Sequence, residues 1–208
     1  MNETDSLAQI EQGIALGFDA VMVENEFLPK EEYQRLVKQV AEMAHAQGAW
    51  VEAQVGHLAD ASAGTVTEPT DPEAARAFVS ATRVDALGVA VGNVHILTSG
   101  KRTLDLAALA RVQAAVEIPL VLHGGTGIPL DLAPRCIQLG VAKVNFGTGL
   151  KQAYLAAIGE KLGKYKVPMS PHPFLGMGGG NDLLVAGREA VKTEVVKLLR
   201  AYGSAGKA

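Results

Sequence analysis

The feature that most constrains this chain is an unbroken alternation of short apolar runs with amphipathic segments. Five runs rich in β-branched and small apolar residues stand out: Phe18 to Glu24 (FDAVMVE), Trp50 to Val55 (WVEAQV), Val84 to Val91 (VDALGVAV), Pro119 to Leu122 (PLVL) and Val141 to Asn145 (VAKVN). Each predicts a buried strand of a parallel sheet, because a strand covered on both faces reads as nearly continuous apolar sequence. Between them lie LPKEEYQRLVKQVAEMAHAQG, TDPEAARAFVSATR, LDLAALARVQAAV and LDLAPRCIQLG, with apolar residues at three-to-four spacing and a polar opposite face, which predicts helices. Thr70-Asp71-Pro72-Glu73 has the form of a helix start, and Gly48 and Gly140 stand where helices should stop. An uninterrupted βα series admits an open doubly wound sheet or a closed (β/α)8 barrel, and five strands cannot close a barrel alone. The chain also opens on a helical stretch, Asp5 to Leu16, with no strand in front of it. Its tail sets a Pro- and Gly-rich crossing, VPMSPHPFLGMGGGND, between amphipathic helices at Gly149 to Lys164 and about Leu183 to Tyr202. The 208 residues suit one domain, 1–208.

Composition narrows the function. With 19 Lys and Arg against 22 Asp and Glu, the net charge of -3 supplies no basic field for nucleic acid or an anionic membrane. No apolar run is long enough for a membrane span, and the polar, acidic start MNETDSLAQIEQG is unlike a secretory signal. The single cysteine, Cys136 in LAPRCIQLGV, excludes an internal disulfide framework and a four-thiolate zinc site, reads as a buried structural thiol, and fits a reducing cytoplasm. Few aromatics (5%) beside 23 glycines suit the tight packing of a soluble α/β metabolic enzyme.

Residues able to do chemistry gather at the predicted strand C-termini, the edge where βα folds bind ligands: Glu24-Asn25, then Gln54 and His57, then Gly92-Asn93-Val94-His95, then His123-Gly124-Gly125-Thr126-Gly127, and last Asn145-Phe146-Gly147-Thr148-Gly149. Two successive glycine-rich turns, with Thr126 and Thr148, each run into a helix and offer amides and hydroxyls to a phosphate. His95 and His123 end neighbouring strands, so two imidazoles could share a pocket. They begin a divalent metal site, but a catalytic zinc needs three protein ligands and an open position, and the spacing equally allows two hydrogen-bonded strand-end histidines. His45 reads as helix-terminal packing or solvation, and His57 and His172 receive no role.

These runs, from GFDAVMVENEFLPKEEYQRLVKQVAEMAHAQGAWVEAQVG through TDPEAARAFVSATRVDALGVAVGNVH to IPLVLHGGTGIP and LGVAKVNFGTGLKQAY, resemble the class II, metal-dependent aldolases that cleave fructose or tagatose 1,6-bisphosphate. The resemblance covers roughly residues 5 to 160 and keeps the family's motif order. It implies a (β/α)8 TIM barrel of which this chain holds strands four to eight, preceded in the family by roughly 75 to 85 residues forming three βα units. It implies reversible aldol cleavage to dihydroxyacetone phosphate and an aldehyde, with zinc polarising the ketone oxygen. His95 matches the histidine of the family's GTSHG or GNVHG motif and His123 that of HGGSG, both zinc ligands there. Gly92, with Gly124, Gly125, Thr126 and Gly127, matches segments that hold the ketose phosphate. Asn145 and Thr148 match the NxDT segment, where Asn contacts the triose and Thr the phosphate. A cytoplasmic homodimer or homotetramer is the family's usual form.

The departures are as specific. The family's third zinc histidine and its catalytic aspartate form an Asp-His pair just before the first helix; Met1 falls about there, and no Asp-His pair exists in the chain. Gln54 stands where VEAELG has its second Glu, Glu24 where MIDGS has Asp, Ile96 where a Gly follows the metal histidine, and Gly147 where NxDT has Asp. The loop HLADASAGTVTEPT is short, leaving Asp60 and Glu68 as weak candidates for proton transfer. The reading expected from these matches and departures is an aldolase-family enzyme whose polypeptide is incomplete, through truncation, a late start codon or a split gene; the alternative is a non-catalytic sugar-phosphate-binding relative or companion subunit.

Overall fold

The computed structural model describes residues 1, 3–24, 28–56 and 68–207. The elements run α1 (Leu7–Ala15), β1 (Ala20–Val23), α2 (Lys30–His45), β2 (Trp50–Val55), α3 (Pro72–Thr82), β3 (Ala86–Val89), α4 (Leu106–Ala115), β4 (Leu120–Leu122), α5 (Ala133–Gln138), β5 (Val141–Val144), α6 (Thr148–Leu162) and α7 (Leu183–Ala201). The five strands pair in parallel in the order β1-β2-β3-β4-β5, and helices fill the connections. Strand order that follows chain order is that of a barrel wall, since a doubly wound sheet reverses direction at a switch point. The architecture is therefore α/β, a five-stranded section of a TIM-barrel-like wall.

Strand side chains alternate between the two faces. One set, Val21, Val23, Val51, Ala53, Leu87, Val89, Val91, Leu120 and Leu122, packs on the helices through Ile10, Val37, Val40, Phe78, Leu109, Val112 and Cys136. Burying each large member contributes roughly 1.5–3 kcal/mol, so this layer carries most of the apolar stabilisation. Local chemistry sets the helix boundaries. Asp71 caps α3 by accepting from Ala74 N at 2.7 Å with Pro72 in the first turn, Asp105 caps α4 through Ala108 N at 2.8 Å, and Asp182 caps α7 through Leu184 N at 2.9 Å.

Strand ends fall inside the expected runs. Val84 and Asp85 leave a left-handed helix cap at Arg83 (φ 62°), and the Asp85 carboxylate accepts from Val51 N at 2.7 Å, so these two residues brace β2 before β3 begins. The expectation that all five strands are buried fails for β5, where Ala142 and Lys143 are exposed. The physical reason is position: β5 is the last strand of the sheet, and no strand covers its outer side among the described residues. At the opposite edge, Met1 and Thr4 lie beside β1, with Met22 N donating to Met1 O at 3.0 Å and Glu24 N to Thr4 O at 3.2 Å, and with a parallel bridge from Thr4 to Val23. The Pro- and Gly-rich crossing is ordered, pinned by Phe174 against Tyr165 at 5.3 Å and by Gly178 N donating to Asp182 at 2.8 Å. Helix α6 buries no residue, against its expected amphipathic character; it lies on α7 at Gly187, where any larger residue would meet the Tyr154 ring.

Candidate active site

The inward face of the sheet is where polar side chains collect. Met22, Glu52, Ala86, Gly88 and Val121 share it by register, and His123, one residue past β4, stands at its C-terminal edge. His123 is only 1% exposed, and its backbone carbonyl is fixed by Asn93 Nδ2 at 3.1 Å, while Asn93 also bridges Val91 N and Val89 O. His95 lies half-buried in the loop after β3, its ring centroid 6.3 Å from that of His123. The chain thus brings the two histidines read from the sequence into one pocket.

It adds a third donor that sequence reasoning missed. Glu3 Oε1 stands 3.2 Å from His123 Nδ1 and 3.5 Å from His95 Nε2. One ligand atom from each of Glu3, His95 and His123 can be chosen so that all three lie within 4.8 Å of one another. Glu3 adopts φ 53°, a left-handed conformation uncommon for a glutamate, at the point where the N-terminal segment runs along β1. The signal was positional: the place of the family's Asp-His pair falls about at Met1, and two residues further on a carboxylate occupies the pocket. Hydrogen bonds from His123 and then His95 hold the Glu3 carboxyl far below the usual carboxylate range. Burial pulls the His123 pKa down, but Glu3 and Glu52 outweigh it and push it up to about 9; Glu3 raises His95 likewise. Two imidazole nitrogens and a carboxylate oxygen are a donor set that zinc and neighbouring divalent metals accept once the imidazoles give up their protons. The residues present therefore fit the metal that the sequence resemblance implies.

Behind His123 lies Glu52, 6% exposed, with Oε1 3.0 Å from His123 Nε2 and Oε2 2.6 Å from Lys143 Nζ. Burial would raise the Glu52 pKa, but His123 and Lys143 lower it. Asn145 Nδ2 lies 3.0 Å from His123 Nε2 and 3.3 Å from Nδ1, so the Asn of the fifth strand end reaches the same imidazole. Gln54 fills the register position beside Gly88; its Nε2 donates to Gly56 O at 3.1 Å, and its Oε1 is buried with no hydrogen-bond partner among the described residues.

The glycine-rich turns are packed more tightly than their sequence suggests. Gly124 has φ 67°, and a side chain there would collide with the Val94 carbonyl; Gly92 has φ 93°, with Thr103 O 2.6 Å from where a Cβ would stand. Gly125 leaves room for Phe146 and Gly127 for Leu97. Gly125 N donates to Asn145 O and Gly127 N to Gly124 O, so these two amides are spent inside the fold. Thr126 Oγ1 accepts from Gly149 N at 2.9 Å, which ties the first turn to the start of α6, and Thr148 opens that helix with a first-turn amide lacking an intrahelical acceptor. Lys101, also missed, donates from Nζ to Thr126 O at 2.8 Å and puts an ammonium on the turn.

Other candidates are placed plainly. His45 lies exposed at a helix end, its Nε2 2.8 Å from Asp85, and His172 lies exposed in the crossing. Glu68 and Ile96 are exposed, Gly147 precedes α6, and Cys136 is fully buried with its thiol pushed up by burial. Asn25, His57 and Asp60 lie outside the described residues.

Comparison with known proteins agrees with this geometry. The profile of the class II fructose-bisphosphate aldolases matches residues 4–207. The fructose-bisphosphate aldolase of Geobacillus stearothermophilus is 35% identical over 211 residues, all of this chain and 70% of that protein. Among solved structures, the YdjI aldolase from Escherichia coli K12 is 32% identical with a TM-score of 0.79, covering 98% of this chain and 68% of that one. A putative fructose-1,6-biphosphate aldolase from Coccidioides immitis is 27% identical with a TM-score of 0.81, covering 99% and 71%. No helix among the described residues is long and apolar enough to cross a membrane. With the profile spanning nearly the whole chain and the strand-edge histidines sharing one pocket, the protein belongs to the class II fructose-bisphosphate aldolase family, a family of metal-dependent lyases.

Proposed function

We propose that this chain is the strand-four-to-eight part of an aldolase barrel, folded as one domain, that catalyses reversible cleavage of a ketose 1,6-bisphosphate to dihydroxyacetone phosphate and an aldehyde with zinc held by Glu3, His95 and His123. The observation that carries the reading is the three-donor cluster at the C-terminal edge of the sheet, flanked by two glycine- and threonine-containing turns. It supports catalysis over the non-catalytic alternative, for which an incomplete ligand pair would be expected.

When bound, the metal would polarise the ketone oxygen and stabilise the negative charge that develops as the carbon–carbon bond breaks. The chain's own residues do the rest. Thr126 and Thr148, with the Thr148 amide at the start of α6, receive the phosphate, and Lys101 adds a cation beside it. Gly92, Gly124, Gly125 and Gly127 contribute the tight turns that let backbone approach the substrate. Asn145, already at His123, is placed to orient the triose half. The group that moves the substrate proton is assigned to none of the described residues. A homodimer or homotetramer in the cytoplasm is the form proposed.

Cleavage of fructose and tagatose 1,6-bisphosphate by the purified chain, before and after chelation and with zinc restored, tests the reading. Turnover lost on chelation and regained with zinc is expected. Turnover indifferent to chelation, or none with zinc bound, would overturn it.

A further inference from the structure

The inward face of β3 is built of small residues. Ala86 pairs with Glu52, Gly88 with Gln54 and Val121, and a Cβ on Gly88 would already touch Gln54 at 3.3 Å. That gap lets Glu52 of β2, His123 just past β4 and Lys143 of β5 meet across the strands between them. Lys143 reaches Glu52, 91 residues away in the chain, at 2.6 Å, and Glu52 spends its other oxygen on His123 Nε2 at 3.0 Å. A carboxylate only accepts hydrogen bonds, so Nε2 carries a hydrogen toward Glu52, while Nδ1, which in the metal-free chain gives its own hydrogen to Glu3, is the nitrogen on the side of the donor cluster and the one a metal would take once that hydrogen leaves. Glu52 alone could rotate; with Lys143 on Oε2 its plane is fixed by two partners. Glu52 is also too buried to keep its charge cheaply without a cation beside it.

We infer that Lys143, acting through Glu52, is a positioning residue for metal capture: the ion pair orients Glu52 so that His123 presents Nδ1 toward Glu3 and His95. The inference rests on the metal-site reading of those three residues. Lys143 touches neither substrate nor metal in this scheme, and its effect is on ligand orientation.

Titration of the metal-free full chain with Co2+, read by the visible absorption of the bound ion and by calorimetry, tests it with four variants. Lys143→Met weakens Co2+ binding by about 10- to 100-fold, the usual cost of losing an outer partner of a metal histidine, and Lys143→Arg restores most of it. Glu52→Gln gives a similar loss, and the double variant Lys143→Met/Glu52→Gln binds no more weakly than the worse single one, because both interrupt one chain of contacts. Nitrogen NMR of His123 in the zinc-loaded protein reports Nε2–H with Nδ1 on the metal in the parent and a mixture of the two orientations in Lys143→Met. Binding by Lys143→Met within twofold of the parent, or losses that add in the double variant, overturns the inference. His123→Ala separates it from the reading beneath: a parent that binds no Co2+, or a His123→Ala that binds as the parent does, sinks the metal site itself, whereas loss in His123→Ala with full binding in Lys143→Met sinks only the relay. Should Lys143→Met fail to melt cooperatively, the Glu52→Gln titration decides in its place.

Discussion

The two faces of the sheet share one backbone and have opposite chemistry. Toward the helices stand Val21, Val51, Leu87, Val89, Leu120 and Leu122, all 0–1% exposed and apolar. Toward the barrel interior stand Glu52, Gln54, Lys143 and, just past the strands, His123 and Asn145. The helix-facing layer is interchangeable within limits of volume, because any well-packed aliphatic contributes through buried area. The inward layer is not, because each polar group needs a particular partner at a particular distance. Stability thus resides on one face of each strand and function on the other, one residue apart.

The largest expected effect tests the helix-facing layer. Leu87→Ala should cost about 2–5 kcal/mol in urea unfolding by leaving a cavity between β3 and the helices, while the folded fraction keeps its metal affinity. A loss of affinity at full folding would mean that the two faces are not independent. Next comes His95→Ala, where removing one of three ligands should weaken zinc binding at least about 100-fold and leave the unfolding midpoint of the metal-free protein nearly unchanged; unaltered binding would remove His95 from the site. Thr148→Val should raise the KM for a phosphorylated ketose about 10- to 100-fold, the worth of one hydrogen bond to a charged group, with kcat little changed. An unaltered KM would move the phosphate elsewhere.

The smallest effect concerns the joint between the faces. Tyr33 donates to Val23 O at 3.0 Å and accepts from Gln54 N at 3.2 Å while stacking on Phe78 at 5.8 Å, so its ring belongs to the core and its hydroxyl to the strand ends. Burial raises its pKa from 10.0 to about 12. A phenol whose folded pKa is raised contributes stability that is present below its unfolded pKa and lost as pH rises through the folded one. The parent should therefore lose stability relative to Tyr33→Phe between about pH 10 and 12, and exceed it by about 1 kcal/mol at neutral pH. Parallel stability curves for the two proteins across that range would show that the hydroxyl is not held by the fold.

Most of the fold was legible because its signals are local. The apolar runs, the helix start at Thr70-Asp71-Pro72-Glu73 and the stops at Gly48 and Gly140 all act within a few residues, and every predicted strand and helix is present. The His95 and His123 pair was legible too, since both follow apolar runs that had to be neighbouring strands. Glu3 was not, because a glutamate ahead of a helix is ordinarily solvated and nothing in MNETDS marks it otherwise. Nor was the exposure of β5, since an apolar run does not say whether it lies at the edge of its sheet.

By itself the sequence determined the order of elements and the family to which the chain belongs. Tertiary structure alone decided which polar groups meet. Glu52 and His123 are 71 residues apart, and Glu52 and Lys143 are 91 apart. No local pattern encodes such contacts; they exist because parallel strands wrap inward over small residues on β3 and close distances that the chain leaves open.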